Sequence, residues 1–506
     1  MKSYLTTPIY YVNAAPHIGH AHTSVMADIL KRNKQARGIE TLMSTGCDEH
    51  GQKNQEAAEE LGLAPQDYLD QRAAEFQRLF DLLGVDYDFY VRTTRSGHKE
   101  EVARAEQKLF DAGLIVKKSY TGKYCKGCEQ FKKESDLNED GRCPEHTTIE
   151  LELIDEPNYF FPMEPYRQGL IDHINANPDF VDPPMYRGEL LKMLEEPLED
   201  LSISRPKPRV SLGVDLPFDD DHVTYVWFDA LLNYLTNLEF PDGDYQQWWG
   251  KCRHLIGKDI LKTHGVYWPT MLMALGLSLP KGLVVHGHWL GDGGVKMSKT
   301  LGNVVDPIEV TDKLGVDALR YYLARHMRTE NDSQISVDAI GQTYSSELAN
   351  KFGNLLSRAG KFAKARFDDA IPACGDLTAE DEAVRAQSLA AAKGLAEEIT
   401  LTQLPERVQA IVDAADALNG YFADAAPWNL MKEEATVARA GTVVYVALDS
   451  LRLLFEALRQ VIPVSSAKAL AMLGVDAHAA PWEPALDQLQ SGKALGEIDV
   501  LFARVD

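Results

Sequence analysis

The sequence predicts an α/β protein: a Rossmann-like parallel sheet interrupted by a small cysteine-rich insertion and followed by an all-α helix bundle. Three observations predict it. Residues 1 to about 114 alternate short strands with longer helices, the pattern of a helix-covered parallel sheet. Three cysteines and a histidine then gather between Cys125 and His146, among short strands and turns. From about 346 to 506 the apolar periodicity is helical, with breaks at Gly375, Gly420, Pro427, Gly441 and Pro463.

Lys2 to Val12, rich in Thr, Tyr, Ile and Val, reads as the first strand, and Asn13-Ala14-Ala15-Pro16 breaks it. His20 to Gly38 reads as a helix. Pro16-His17-Ile18-Gly19-His20 therefore falls at a strand-to-helix turn, where unpaired N–H groups and the helix dipole favour a phosphate. Gly19 would let a nucleotide approach without a Cβ in the way. Glu40 to Ser44 is the next strand, followed by Gly46-Cys47-Asp48-Glu49-His50-Gly51. Asp48, just past the end of a strand, is either a ligand-facing carboxylate in the sheet crevice or a helix N-cap. Leu61 to Leu83 is amphipathic and structural.

The insertion is expected over 115–222. Cys125-Lys126-Gly127-Cys128 is followed by Cys143-Pro144-Glu145-His146, and two such knuckles suit one tetrahedral Zn²⁺ held by Cys125, Cys128, Cys143 and His146. Four protein ligands leave no open position, so that metal would be structural. A redox cysteine pair and chance spacing are the alternatives. Cys47, Cys252 and Cys374 are isolated and read as buried or incidental. Ser202 to Arg209 is basic and proline-rich, hence extended; a bridge back to the sheet is favoured over an approach to a phosphate backbone.

Val223 to Phe228 reads as a strand and Leu231 to Leu238 as a helix start, in a second half of the sheet domain expected over 223–290. Trp227, Ala230 and Tyr234 would ordinarily pack such a sheet. Leu283 to Trp289 is the last strand, and Gly291-Asp292-Gly293-Gly294 a tight turn. Lys296-Met297-Ser298-Lys299-Thr300 follows, in a region expected over 291–345; its two lysines can surround a triphosphate tail. In the bundle, expected over 346–506, Asn354 and Arg358 lie one helical turn apart. Lys351, Arg358, Lys361, Lys364 and Arg366 form a basic stripe, either a solvated face or a local anion-binding surface.

With 506 residues, three to four packed units are expected, and 45% hydrophobic content suits a globular chain. No run of about 18 apolar residues is present and the N-terminus lacks a signal-peptide pattern, so neither a membrane partner nor export is expected. Clustered cysteines favour a reducing compartment, hence a cytoplasmic location. The net charge of −24 argues against a general nucleic-acid binder and against DNA as a partner. The chain ends soon after the bundle with no further domain evident, which predicts a monomer.

A lone His-x-Gly-His is a weak signal. Combined with Lys296-Met297-Ser298-Lys299, and with Pro8 to Asn13, Gly46 to Gly51, Tyr225 to Ala230 and Ile256 to Ile260 in that order, it resembles the methionyl-tRNA synthetase family within the class I aminoacyl-tRNA synthetases. The resemblance implies methionine activation by ATP with Mg²⁺, pyrophosphate release, and transfer of the aminoacyl group to the 3′-terminal ribose of tRNA(Met). It implies catalytic roles for His17, His20, Lys296 and Lys299. ATP would meet these residues with Gly19, Gly257, Lys258, Asp259, Met297, Ser298 and Thr300; Lys258 is left between phosphate and a nearby carboxylate.

The same resemblance places Ile9, Tyr11, Asp48, Trp227, Ala230, Leu231, Tyr234, Ile260 and His264 around methionine, with Asp48 on its ammonium group. Asn354, Arg358 and Trp428 would read the anticodon, and the zinc knuckle is a common family feature. Thr263 departs from the family's usual aromatic residue before the pocket histidine, and Thr300 from its usual serine. Another class I synthetase and a catalytically silent tRNA-binding relative are the alternatives. The insertion is short for the isoleucine, valine and leucine enzymes. Small nucleotidyltransferases share His-x-Gly-His but lack the helical C-terminal third.

Overall fold

The computed structural model describes residues 1–127, 130–132, 134–144, 147–297 and 303–504. The expectations for Cys128, His146, Ser298, Lys299 and Thr300 fall outside the described residues.

β1 (Lys2–Tyr11) runs into α1 (Ile18–Ala36), then β2 (Glu40–Asp48), α2 (Gln52–Glu60), α3 (Pro65–Leu82), β3 (Phe89–Arg92) and α4 (Ser96–Asp111). The amphipathic stretch expected over Leu61–Leu83 is α3, and α2 ends just before it at Glu60. Gly62, at φ +65°, turns the chain between them, and Pro65 opens the second where a missing N–H costs nothing.

β4 (Val116–Cys125), β5 (Gln130–Lys132) and β6 (Glu152–Phe161) start the insertion; α5 (Glu164–Ala176), β7 (Val181–Asp182), α6 (Pro184–Met193), β8 (Leu201–Ser202), β9 (Ser204–Pro206) and β10 (His222–Thr224) follow. β5-β4-β6-β8 form an antiparallel sheet. Within this stretch, however, Val181 and Asp182 pair with the parallel sheet. Arg205 is buried between the rings of Tyr124 and Tyr225, and Arg209 meets Glu152 and Glu156 and reaches Gln52 of α2, so the basic stretch from Ser202 ties the insertion to α2 and to the chain at Tyr225.

α7 (Val226–Thr236), β11 (Cys252–Gly257) and β12 (Gly282–His286) complete the domain. The strand expected over Val223–Phe228 ends at Thr224, and Trp227 and Phe228 are helical. Phe228, Leu231, Leu232 and Leu235 share one buried face at helical spacing, and Asp229 in the first turn suits the helix dipole. The strand expected over Leu283–Trp289 also divides. Gly287 passes so close to Asn331 that a Cβ would lie 2.4 Å from its carbonyl oxygen. Beyond it, β13 (Trp289–Leu290) pairs with β14 (Ser333–Gln334).

The sheet order is β3-β2-β1-β11-β12-β7, parallel throughout. Each face carries its own core. One, with Val25, Ile29, Phe76 and Phe80, continues through Leu319 and Leu323 into the helical region. The other joins Phe161, Leu170, Phe228, Leu235 and Trp268. The C-terminal third is helical over Asn354–Arg366, Ala379–Ala396, Leu404–Ala425, Val437–Leu458 and Pro463–Met472. It grips the far end of α1: Asn33 donates to the carbonyls of Leu395 and Glu397, and Trp482 N–H donates to Ala36. Buried Arg320 joins Asp28 of α1 to the carbonyls of Gln460 and Val461. No helix among the described residues is long and apolar enough to cross a membrane.

Candidate active site

Four neighbouring strands end side by side: β1 at Tyr11, β2 at Asp48, β11 at Gly257 and β12 at His286. Ligands of open parallel sheets bind in the crevice beyond such ends. Here the crevice is a cavity of about 1210 Å³, lined by Ile9, Tyr10, Tyr11, His17, Gly19, His20, Asp48, Lys53, Trp227, Gly257, Asp259, Ile260, Thr263, His286 and His288, with the insertion as its far wall.

α1 opens at the rim. His17 is its N-cap, and its Nδ1 accepts the Gly19 N–H at 3.1 Å while Nδ1 of His20 accepts the His17 N–H at 3.1 Å. Both rings thus spend Nδ1 as an acceptor, which leaves the proton of each neutral imidazole on Nε2. The rings stack with centroids 3.8 Å apart, and Tyr10 and Phe76 pack against His20 at 4.6 and 5.0 Å. Burial, with His17 beside it, pushes the His20 pKa well below its ordinary value, so the ring is neutral at pH 7. A Cβ on Gly19 would lie 3.0 Å from His17 Cε1, so this glycine makes room first for the imidazole.

Asp48 is not an N-cap: that position belongs to Gly51, and Asn54 Nδ2 holds the Asp48 carbonyl at 3.0 Å. Tyr11 is the register partner of Asp48 on β1, and the Tyr11 ring meets Trp227 edge to face at 6.1 Å. Trp227 Nε1 is buried with no hydrogen-bond partner among the described residues. Lys53 lies over the Tyr11 ring at 5.2 Å and donates to the Gly127 carbonyl in the knuckle.

Ala230, Leu231, Tyr234 and His264 are buried behind this wall and do not line the cavity. His264 sits in a π-helical turn over Thr263–Tyr267. Its Nδ1 donates to the Ile260 carbonyl at 3.1 Å, and its Nε2 accepts from Tyr234 at 2.8 Å. Burial lowers its pKa to about 4.

At the end of β11, Gly257 lets Asp259 fold back, since a Cβ would meet Asp259 Oδ1 at 2.5 Å. His288 Nε2 lies 3.0 Å from that oxygen. Burial opposes ionisation of Asp259, but this imidazole outweighs it and holds the carboxyl below the usual range. Lys258 takes the carboxylate alternative, 2.7 Å from Asp332, and is not in the cavity wall. The glycine turn forms as expected, with Gly293 and Gly294 at φ +72° and +74° and Gly291 bridged to Val295. Lys296 beyond it is exposed and outside the cavity lining; Met297 packs on the core.

The sequence model for class I tRNA synthetases (M) matches residues 3–152 and 147–360, and that for the anticodon binding domain of methionyl tRNA ligase matches 371–506. The chain belongs to the methionyl-tRNA synthetase family. Among curated relatives, the methionine–tRNA ligase of Deinococcus radiodurans is 40% identical over 99% of this chain and 74% of its own. That of Rickettsia felis is 37% identical over 99% and 98%. The Mycobacterium tuberculosis methionyl-tRNA synthetase in complex with methionyl-adenylate superposes with a TM-score of 0.92 at 35% identity, covering 99% of this chain and 100% of that one. Its apo form gives 0.86 at 32% identity, covering 100% and 98%.

For a methionyl-tRNA synthetase, the cavity adds residues that sequence reasoning missed: Tyr10, Lys53, His286 and His288. The two histidines carry a usable signal, since Val285-His286-Gly287-His288 ends a strand in the line that already supplied Asp48. In the anticodon domain, Asn354 and Arg358 are exposed and one turn apart. The Arg358 guanidinium lies 5.5 Å over Phe422, whose ring meets Trp428 at 6.2 Å; Trp428 is 44% exposed. Phe422, which the sequence did not single out, thus joins Arg358 to Trp428, with Asn354 one turn before Arg358. Elsewhere the basic stripe is partly neutralised, Lys351 by Asp416 and Lys364 by Asp369.

Proposed function

We propose that the chain activates L-methionine with ATP and transfers it to the 3′-terminal ribose of tRNA(Met). One observation carries this reading: the imidazole-capped N-terminus of α1 opens into the same cavity as Asp48 and Trp227. The methionine carboxylate attacks the α-phosphorus in line, forming the mixed anhydride and releasing pyrophosphate. A carboxylate is ionised at pH 7 and needs no general base, so positioning and charge compensation dominate.

Asp48 holds the ammonium group and so aims the carboxylate. Tyr11, Trp227 and Ile260 face the thioether, backed by Ala230, Leu231, Tyr234 and His264; sulfur suits such ring edges. Nε2–H of His17 and His20 donates to the phosphates where charge accumulates. Gly257 and Asp259 stand for the ribose. Lys296 and Lys299 neutralise the departing pyrophosphate, and Met297, Ser298 and Thr300 bind ATP beside them. Mg²⁺, when bound with ATP, supplies further charge neutralisation at the phosphates. A ribose hydroxyl of tRNA then attacks the anhydride carbonyl and AMP leaves. Asn354, Arg358 and Trp428 bind anticodon bases by edge hydrogen bonds and stacking.

Exchange of labelled pyrophosphate into ATP, run with each amino acid in turn, tests the assignment. Methionine alone supports rapid exchange if it holds, and a different amino acid doing so overturns it. Lys299→Ala lowers the exchange rate about tenfold to a hundredfold, the worth of one charge-assisted hydrogen bond. The methionine KM stays within about twofold; a change confined to that KM contradicts the assigned role.

Cys125, at the end of β4, and Cys143 are both buried, and thiolate donors in a small antiparallel insertion fit a structural Zn²⁺. Cys128 and His146 complete the proposed set, which when occupied supplies rigidity to the knuckle. Among the described residues alone no metal-holding group is complete. Cys125→Ser is expected to lose the bound metal, read by mass spectrometry of the native protein; full retention removes the site.

A further inference from the structure

Behind the methionine wall lies a buried carboxylate held by two imidazoles, which plays no part in the chemistry above. Asp229, fully buried on α7, lies 2.5 Å from Nδ1 of His50 through Oδ2 and 2.7 Å from Nε2 of His98 through Oδ1. His98 lies in the first turn of α4 and reaches Thr236, at the end of α7, through Nδ1 at 2.9 Å. His50 follows Asp48 by two residues, and Asp229 follows Trp227 by two. The backbone between is stiff on the Asp48 side. Asn54 holds the carbonyls of both Asp48 and His50, and Glu49 is held by Arg92 and Thr94.

We propose that the His50–Asp229–His98 group is a strut that sets the distance between the ammonium-holding carboxylate and the aromatic wall. On the proposed function, it makes His50, Asp229 and His98 positioning residues for the length of the amino-acid side chain. A buried polar cluster is seldom the most stabilising way to fill a core, since well-packed apolar residues often do as well. What it supplies is direction, because a carboxylate flanked by two fixed N–H donors admits one spacing where apolar contacts slide. This spacing is transmitted through two residues of β2 exit on one side and half a helical turn on the other. It acts on Asp48 and Trp227 without touching the substrate.

The test separates this role from plain stability. In Asp229→Asn, one imidazole N–H faces an amide donor, so the strut loses a bond without losing volume. The methionine KM is expected to rise about tenfold or more, with the ATP KM and the saturated rate within about threefold. The kcat/KM ratio of ethionine to methionine is expected to rise as the wall loosens. His50→Asn keeps an N–H near the Nδ1 position and His50→Gln moves it one carbon further, so the first retains and the second loses methionine affinity, measured by equilibrium dialysis without ATP. This pair carries the test if Asp229→Asn does not fold. An unmoved methionine KM in Asp229→Asn, or equal behaviour of the His50 pair, overturns the strut. Wild-type protein without methionine-dependent exchange would instead remove the proposed function, so the two failures are distinct.

Discussion

Replacing His20 with alanine lowers the rate of methionyl-adenylate formation by about two to three orders of magnitude, or about 3–4 kcal/mol of transition-state stabilisation. The expectation follows from its hydrogen bonds. Nδ1 is committed to the His17 N–H at 3.1 Å, so the Nε2 proton is the one available to a phosphate. Tyr10, His17 and Phe76 hold the ring from three sides, so little reorganisation is needed as charge builds. Alanine also breaks the reciprocal cap, costing α1 about 1 kcal/mol at its end. Single-turnover adenylate formation measures the loss, with the methionine KM as control. His20→Gln, whose amide reaches toward the Nε2 position, is expected to recover part of it. A rate within about threefold of wild type would remove His20 from the chemistry.

Acidification is the second large effect. Burial lowers the pKa values of His22, His254, His264 and His286, the last two to about 4. In the unfolded chain these rings take up protons near pH 6.5, whereas in the folded chain they stay neutral. The unfolded state therefore binds more protons throughout that interval, and stability falls as pH drops through it. It is fully present above about pH 6.5 and lost progressively toward about pH 4, at about 3 kcal/mol for each of His264 and His286. Their surroundings leave no room for a second proton, since His264 already spends both nitrogens on Ile260 and Tyr234, and His286 on Gly287 and Thr23. Urea midpoints at pH 7.5 and pH 5 measure the effect. Equal midpoints would contradict it.

The parallel sheet was legible because strand alternation and the turn at Asn13 to Pro16 are local signals. So was the convergence of His17, Gly19, His20, Gly257 and Asp259, which all line one cavity. Local patterns misled at Val223–Phe228, where aromatic and β-branched residues favour a strand but Phe228, Leu231, Leu232 and Leu235 bury one helical face. They could not reveal that Tyr234 and His264 stand behind the wall, because that depth is set by packing of α7 against the π-helical turn. Nor could they show Asp229 between His50 and His98, a contact spanning separations of 179 and 131 residues.

The grip of the C-terminal third on α1 has a mechanical meaning. At 1.5 Å per residue, the rod from Ile18 to Ala36 is about 28 Å long, held at its far end by Asn33 and Ala36 and midway at Asp28, and it carries His17 and His20 at the other end. Rocking such a lever by about two degrees at its anchored foot carries the tip through about 1 Å, a displacement able to change a rate about a hundredfold. On the proposed function, side chains that seat the rod, Asn33 among them, are expected to tune alignment of the reacting groups from far outside the crevice.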